Sequence, residues 1–206
     1  MTGVIYDNFL AIVSRIEDLC SKHICFGKIY YHLFYKKMIA REAQLVDLKP
    51  GERVLHIGGG SFPFTAIHLA LQGFKVQVVD MDRGAVKRAR KVVEKWGLED
   101  FIEIVAANGL EVSGAGFDAV WISLHVDPKE EIIKKLLSTL PASGRIIYRN
   151  PRGILRHYYP TVDPAELISD GAYNLNKQIL QKESIIIYGQ GEDYHESIID
   201  GKSQCW

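Results

Sequence analysis

The residues richest in chemistry sit in one short run, Arg53 to Thr65, which reads R-V-L-H-I-G-G-G-S-F-P-F-T. Val54, Leu55 and Ile57 read as a buried strand, and Gly58, Gly59 and Gly60 as a tight turn into a helix. Glycines let a ligand approach the main chain, because no Cβ blocks it. Asp80 ends the next strand, twenty residues after Gly60. From that position a carboxylate takes the two hydroxyls of a ribose. A strand, a glycine turn and a helix start form a nucleotide-binding corner. A dinucleotide site needs Gly-x-Gly-x-x-Gly, and here Pro63 stands in the third Gly position. The Lys-Ser/Thr of a phosphate loop is missing too, so nothing is built to cradle phosphates. Other candidates lie further off. Tyr35 and Glu42 are seven residues apart, about two helical turns, and share one face. His125 follows the fourth strand, and since an unperturbed His titrates near neutrality it suits a general base as well as a structural role. Tyr148 ends the fifth strand at the edge where parallel sheets present ligands. Arg149, Arg152 or Arg156 could clamp a carboxylate in a planar two-point contact.

A Gly-x-Gly turn after one strand and an acid ending the next resembles the class I S-adenosylmethionine-dependent methyltransferases. Their usual pattern is acidic-x-Gly-x-Gly-x-Gly; here His56 replaces the acid and Phe62 the last Gly. The run H-I-G-G-G-S-F-P-F-T is similar to the loop of nicotianamine synthases and related opine-metallophore synthases, roughly G-x-G-P-x-P-x-T. Gly58, Gly60, Pro63 and Thr65 fall on it, and Arg145 to Arg149, R-I-I-Y-R, resembles a segment of archaeal members. The resemblance spans roughly residues 35 to 190. It implies S-adenosylmethionine as cofactor and transfer of its aminocarboxypropyl arm to a small amine or amino acid. It implies binding of that cofactor by Gly58, Gly59, Gly60, Ser61, Pro63, Asp80, Met81, Asn108, Gly109 and Ser123, with Asn108 near the adenine amino group. Glu42 would take the proton lost by the amine, with Tyr35 and Tyr148 beside it, and His125, Arg149 and Arg152 would bind the acceptor. Two alternatives stay open: a small-molecule methyltransferase, and a non-catalytic protein that keeps the binding corner. Leu124 to Pro128 reads L-H-V-D-P, not the Asn/Asp-Pro-Pro-Tyr of nitrogen methylation.

The elements that must position these residues alternate. Ile5, Phe9, Ile12, Val13, Ile16 and Leu19 have helical spacing over residues 4 to 24, and an aromatic helix runs from Tyr30 to Val46. These form a helical extension, residues 1–50, that lids the substrate side. Residues 51–189 read as an α/β, Rossmann-like, seven-stranded sheet domain of the class I methyltransferase kind. Its helices are expected over 63 to 72, from an Asp82 cap to Trp96, and from Asp127-Pro128 to near Leu140. Its strands are expected over 75 to 80, 101 to 106, 117 to 123 and 145 to 148. Antiparallel strands over 172 to 179 and 184 to 188, turning at Gln181-Lys182, close the sheet. Residues 151–160 read as an irregular substrate wall, and 190–206 as a polar tail.

At 206 residues the chain fits one full α/β core plus a small extension. Lys+Arg and Asp+Glu number 25 each, so no net charge argues for nucleic acid or an anionic membrane as partner. No apolar run reaches the roughly 20 residues of a bilayer span, and no signal-peptide pattern opens the chain. Cys20, Cys25 and Cys205 lack metal-ligand spacing, which suggests reduced thiols in a cytoplasm. The seven His include no i, i+4 pair, so no metal site is expected. The helical extension is shorter than the domain nicotianamine synthases carry there, which leaves open a homodimer whose second subunit completes the cavity.

Overall fold

A computed structural model describes Leu19, residues 23–167, 173–177 and 182–188. The expected helix over 4 to 24 and the polar tail lie almost wholly outside the described residues.

The extension runs as α1, Ile24–Tyr30, a π-helical turn, Tyr31–Tyr35, and α2, Lys36–Leu45. The sheet domain follows: β1, Arg53–Ile57; α3, Phe64–Ala70; β2, Lys75–Asp80; α4, Arg83–Trp96; β3, Ile102–Ala106; and β4, Ala119–Ile122. It continues with α5, Lys129–Thr139; β5, Arg145–Pro151; α6, Pro164–Leu167; β6, Tyr173–Lys177; and β7, Lys182–Tyr188. The strands form one sheet in the order β3-β2-β1-β4-β5-β7-β6. The first five are parallel, and β7 runs antiparallel to both β5 and β6. This is the mostly parallel Rossmann-like architecture that the alternation implied.

Side chains alternate across a strand, so each face gathers its own core. Val54, Val76, Trp121, Ile147 and Ile186 pack under α2, α3 and α4. Leu55, Val79, Val120, Ile146, Tyr148 and Ile185 pack with α5 and Val162 on the other face. Asp82 caps α4, its Oδ1 accepting from Gly84 N at 2.7 Å, and the helix stops at Gly97 as expected.

Four local expectations change. The aromatic helix starts earlier, and a π turn interrupts it where the pattern read as regular. Tertiary contacts account for the turn: the Tyr31 hydroxyl hydrogen-bonds His68 Nδ1, and the Tyr35 ring stacks on Phe64 at 4.4 Å. Asp127 does not cap α5; Pro128 holds that position, without a side-chain cap. β5 runs on to Pro151 because β7 pairs it as far as Lys182, so Lys182 is strand and not turn. The wall after β5 has a 3₁₀ turn, Gly153–His157.

Candidate active site

The glycine corner is pressed into the sheet edge. Gly58 has φ 77°, its N–H donates to Val79 O at 2.8 Å, and a Cβ there would sit 2.5 Å from Val126 Cγ2. A Cβ on Gly59 would meet Val78 Cγ1 at 2.2 Å. Asp80 braces the turn from β2. Its Oδ2 accepts from Gly60 N at 2.8 Å and its Oδ1 from Asp82 N at 2.9 Å. Each oxygen keeps a second lone pair, and the side chain is half-buried, so two hydroxyls can be met there. Ser61 is buried and accepts from Arg88 Nε at 2.8 Å. Pro63 is buried at the entry to α3, and Met81 is exposed beside Asp80. Asn108 Oδ1 accepts from Leu110 N at 3.0 Å. Gly109 lies so close to Ile132 that a Cβ would approach its Cδ1 to 2.9 Å. A flat glycine floor, a free lone pair on each Asp80 oxygen and an exposed rim fit a nucleoside.

Beside this corner the α2 face of the sheet ends in a buried polar layer. In register, His56 pairs Trp121, Trp121 pairs Ile147, and Arg149 pairs Ser184. Ser123 follows Trp121 on the same face. Glu42, fully buried, drops onto this layer from α2. Its Oε1 accepts from Arg149 Nε at 2.9 Å and from Ser184 Oγ. Its Oε2 accepts from Arg149 Nη2 at 2.7 Å and from Trp121 Nε1 at 3.1 Å. Arg149 Nη2 also donates to Thr65 Oγ1 at 3.1 Å. Burial works against the Arg149 charge, but the charge and hydrogen bonds of Glu42 outweigh it and raise the pKa. His56 Nε2 lies 3.0 Å from Ser123 Oγ. Burial first, then Arg149 and His125, lowers the His56 pKa to about 3, so its ring is neutral.

His125 is exposed at the mouth, with Nε2 3.4 Å from where a Gly58 Cβ would stand. Desolvation by surrounding protein lowers its pKa, partly opposed by Asp80. Tyr35 is half-buried, stacked on Phe64, with Lys182 Nζ 5.8 Å from its ring.

Three expectations about catalysis need correction. Tyr148 faces the opposite side of the sheet from Glu42, because adjacent strand residues alternate. It is fully buried, with its hydroxyl 3.4 Å from Val162 O. Arg149 does clamp a carboxylate, but that of Glu42. Glu42 takes four contacts on its two oxygens, two from Arg149 and one each from Trp121 and Ser184. Arg152 stands outside, 3.8 Å from Glu183, and Arg156 is exposed. The sequence reading missed Lys129, whose buried Nζ donates to Leu124 O and Arg149 O at 2.8 Å each and to Pro160 O at 3.3 Å. Burial lowers its pKa to about 7. A signal was present: Lys129, Ile132, Ile133 and Leu136 share the buried face of α5.

Comparison with known proteins agrees with this fold. A family model described as nicotianamine synthase protein matches residues 13–186. The L-histidine 2-aminobutanoyltransferase of Yersinia pestis is 26% identical over 125 residues, 60% of this chain and 47% of that protein. The one from Pseudomonas aeruginosa strain UCBPP-PA14 is 26% identical over 166 residues, 75% of this chain and 63% of that protein. The chain thus spans less than two thirds of these curated relatives. A mutant of MtNAS in complex with S-adenosylmethionine superposes with a TM-score of 0.75 at 20% identity, covering 92% of this chain and 78% of that one. An RNA methyltransferase from Salinibacter ruber gives 0.60 at 16% identity, covering 76% and 92%, so the shared fold is wide. With a family model matched over most of its length, the chain belongs to the nicotianamine synthase family, within the class I S-adenosylmethionine-dependent methyltransferase superfamily.

Proposed function

We propose that the protein is an S-adenosylmethionine-dependent transferase that moves the aminocarboxypropyl arm onto the amine of a small acceptor, an amino acid in the simplest case. One observation carries this reading. Beyond the mutually paired Glu42 and Arg149, Lys182 and the Arg152–Glu183 pair leave charges of both signs along the β5 and β7 ends. The arm and an amino acid acceptor are both zwitterionic, and such groups need ready-made partners. A methyl group needs none. The aminobutanoyltransferase activity named for the relatives is compatible with this.

S-Adenosylmethionine supplies a sulfonium leaving group that activates the carbons bound to sulfur. The protein contributes placement, since holding reactants in line supplies much of the rate. Asp80 would hold the ribose hydroxyls, and the turn Gly58–Gly60 would let the donor lie flat against the main chain. Glu42 and Arg149 hold one another rigid and set the local field. Incubation with S-adenosylmethionine and a mixture of amino acids tests the proposal. Methylthioadenosine is the expected by-product. S-Adenosylhomocysteine would favour methyl transfer, and neither product would favour a binding protein.

A further inference from the structure

The chain leaves β5 at the edge where a parallel sheet presents its ligands, and it comes back to the same strand. Asn150, buried near the end of β5, meets Val162 twice. Its Nδ2 donates to Val162 O at 2.7 Å, and its Oδ1 accepts from Val162 N at 3.2 Å. Residues 151–161 are therefore a loop whose ends touch, a compact form that surface segments with functional roles often take. Lys129 closes the same neck from α5. An ammonium has three N–H donors and no lone pair, and each donor finds a main-chain carbonyl. They are Leu124 O after β4, Arg149 O on β5 and Pro160 O at the return of the loop. β5 outruns β4, whose pairing stops at Ile122 with Tyr148, and Lys129 takes the Arg149 carbonyl just past that stop. The body of the loop stands outward, with Ile154 60% exposed and Arg156 and His157 exposed.

We propose that Lys129 is a positioning residue: by fastening this neck it holds the loop 151–161 as the wall that seats the acceptor. The inference rests on the transferase reading above. Strand order puts the loop on the acceptor's side. Asp80 on β2 and the root of the loop on β5 are three strand spacings apart, about 14 Å. A donor with its ribose on Asp80 and its arm over the glycine turn reaches toward β4 and β5, and the acceptor enters beyond it. The root of the loop also borders the helical extension, since Lys182, paired with Pro151, comes within 5.8 Å of the Tyr35 ring. Burying an ammonium costs free energy, and burial here works against the Lys129 charge. The other buried positions of α5, Ile132, Ile133 and Leu136, are aliphatic. What the cation secures, and an aliphatic side chain could not, is the fixed position of three carbonyls on three segments.

The test compares the full chain with its Lys129→Met and Asn150→Ala variants, each shown to be folded by its melting curve. Should Lys129→Met fail to fold, Lys129→Gln takes its place. Trypsin reads the neck without any assay of activity. Cleavage after Arg152 and Arg156 should run about tenfold faster or more in both variants, as the lost hydrogen bonds raise the open population. Turnover is then measured with S-adenosylmethionine and the twenty standard amino acids, below pH 7, where Lys129 keeps its proton. The acceptor KM for methylthioadenosine formation should rise about ten- to a hundredfold in both variants. The kcat, and donor affinity by calorimetry, should stay close to wild type. Loop cleavage at the wild-type rate in the Lys129 variant overturns the proposal. So does a released loop with an unchanged acceptor KM, or a loss confined to kcat; each of these leaves the reaction class standing. S-Adenosylhomocysteine as the by-product overturns the aminocarboxypropyl reading alone, and the same KM comparison then decides on Lys129. No turnover with any amino acid overturns both.

Discussion

Glu42 shows how one buried carboxylate changes meaning with its partners. Its helical position beside Tyr35 is legible from spacing. Its partners Arg149 and Ser184 lie 107 and 142 residues away, and cross-sheet register leaves no local trace in a sequence. That is why a residue read as a proton acceptor turns out to be one half of an ion pair. Glu42→Ala would strand a buried guanidinium and should cost about 3–5 kcal/mol, measured by urea denaturation at pH 7. Glu42→Leu combined with Arg149→Met should recover most of that loss, since apolar replacement of a whole buried pair is often neutral. A single-variant cost below about 1 kcal/mol, the exposed-pair range, would mean the pair is solvated. The ribose role proposed for Asp80 has its own test: Asp80→Ala should weaken S-adenosylmethionine binding by about 1.5–3 kcal/mol, roughly ten- to a hundredfold, by calorimetry. Equal affinity would place the ribose elsewhere.

At the scale of elements, the glycine corner was the most readable part, because tight turns draw on a narrow set of residues. The reason each glycine is needed was not readable. At Gly59 it is the Val78 side chain on the neighbouring strand. Gly59→Ala should therefore destabilise the protein by about 1–3 kcal/mol through overpacking, and a second change, Val78→Ala, should return part of it. Additive losses in a denaturation cycle would show that the contact is not the cause. The π turn was hidden for a related reason. No propensity encodes it, and the contacts of Tyr31 with His68 and Tyr35 with Phe64 hold it from outside. Lys129 escaped notice because charge at a helix start reads as surface, although its phase along α5 put it among the buried positions.

For the whole molecule, two buried bases set the response to pH. His56 has a folded pKa of about 3 against an ordinary 6.5, and Lys129 about 7 against 10.5. In both cases the unfolded chain binds more protons between the two values, so stability rises with pH across each window. Acidification from pH 6.5 toward 3 should cost up to about 1.4 kcal/mol per unit through His56, and His56→Gln should flatten that part of the urea-midpoint curve. An unchanged slope would mean the ring finds a proton-stabilising partner. The donor should act in the opposite sense: S-adenosylmethionine at about a hundred times its Kd adds roughly 2.7 kcal/mol, or about 5–11 °C in Tm for a domain of this size. The overall fold was legible because βα alternation permits few topologies. The fastening of α2 to β4, β5 and β7 through the Glu42 carboxylate carries a consequence for motion. A helix that cannot lift without baring a buried charge must open together with the sheet. Backbone amides of α2 should therefore exchange with deuterated water as slowly as those of the central strands, while α1, beyond the π turn, exchanges early. On that outcome α2 behaves as a fixed wall of the sheet domain and not as a moving cover.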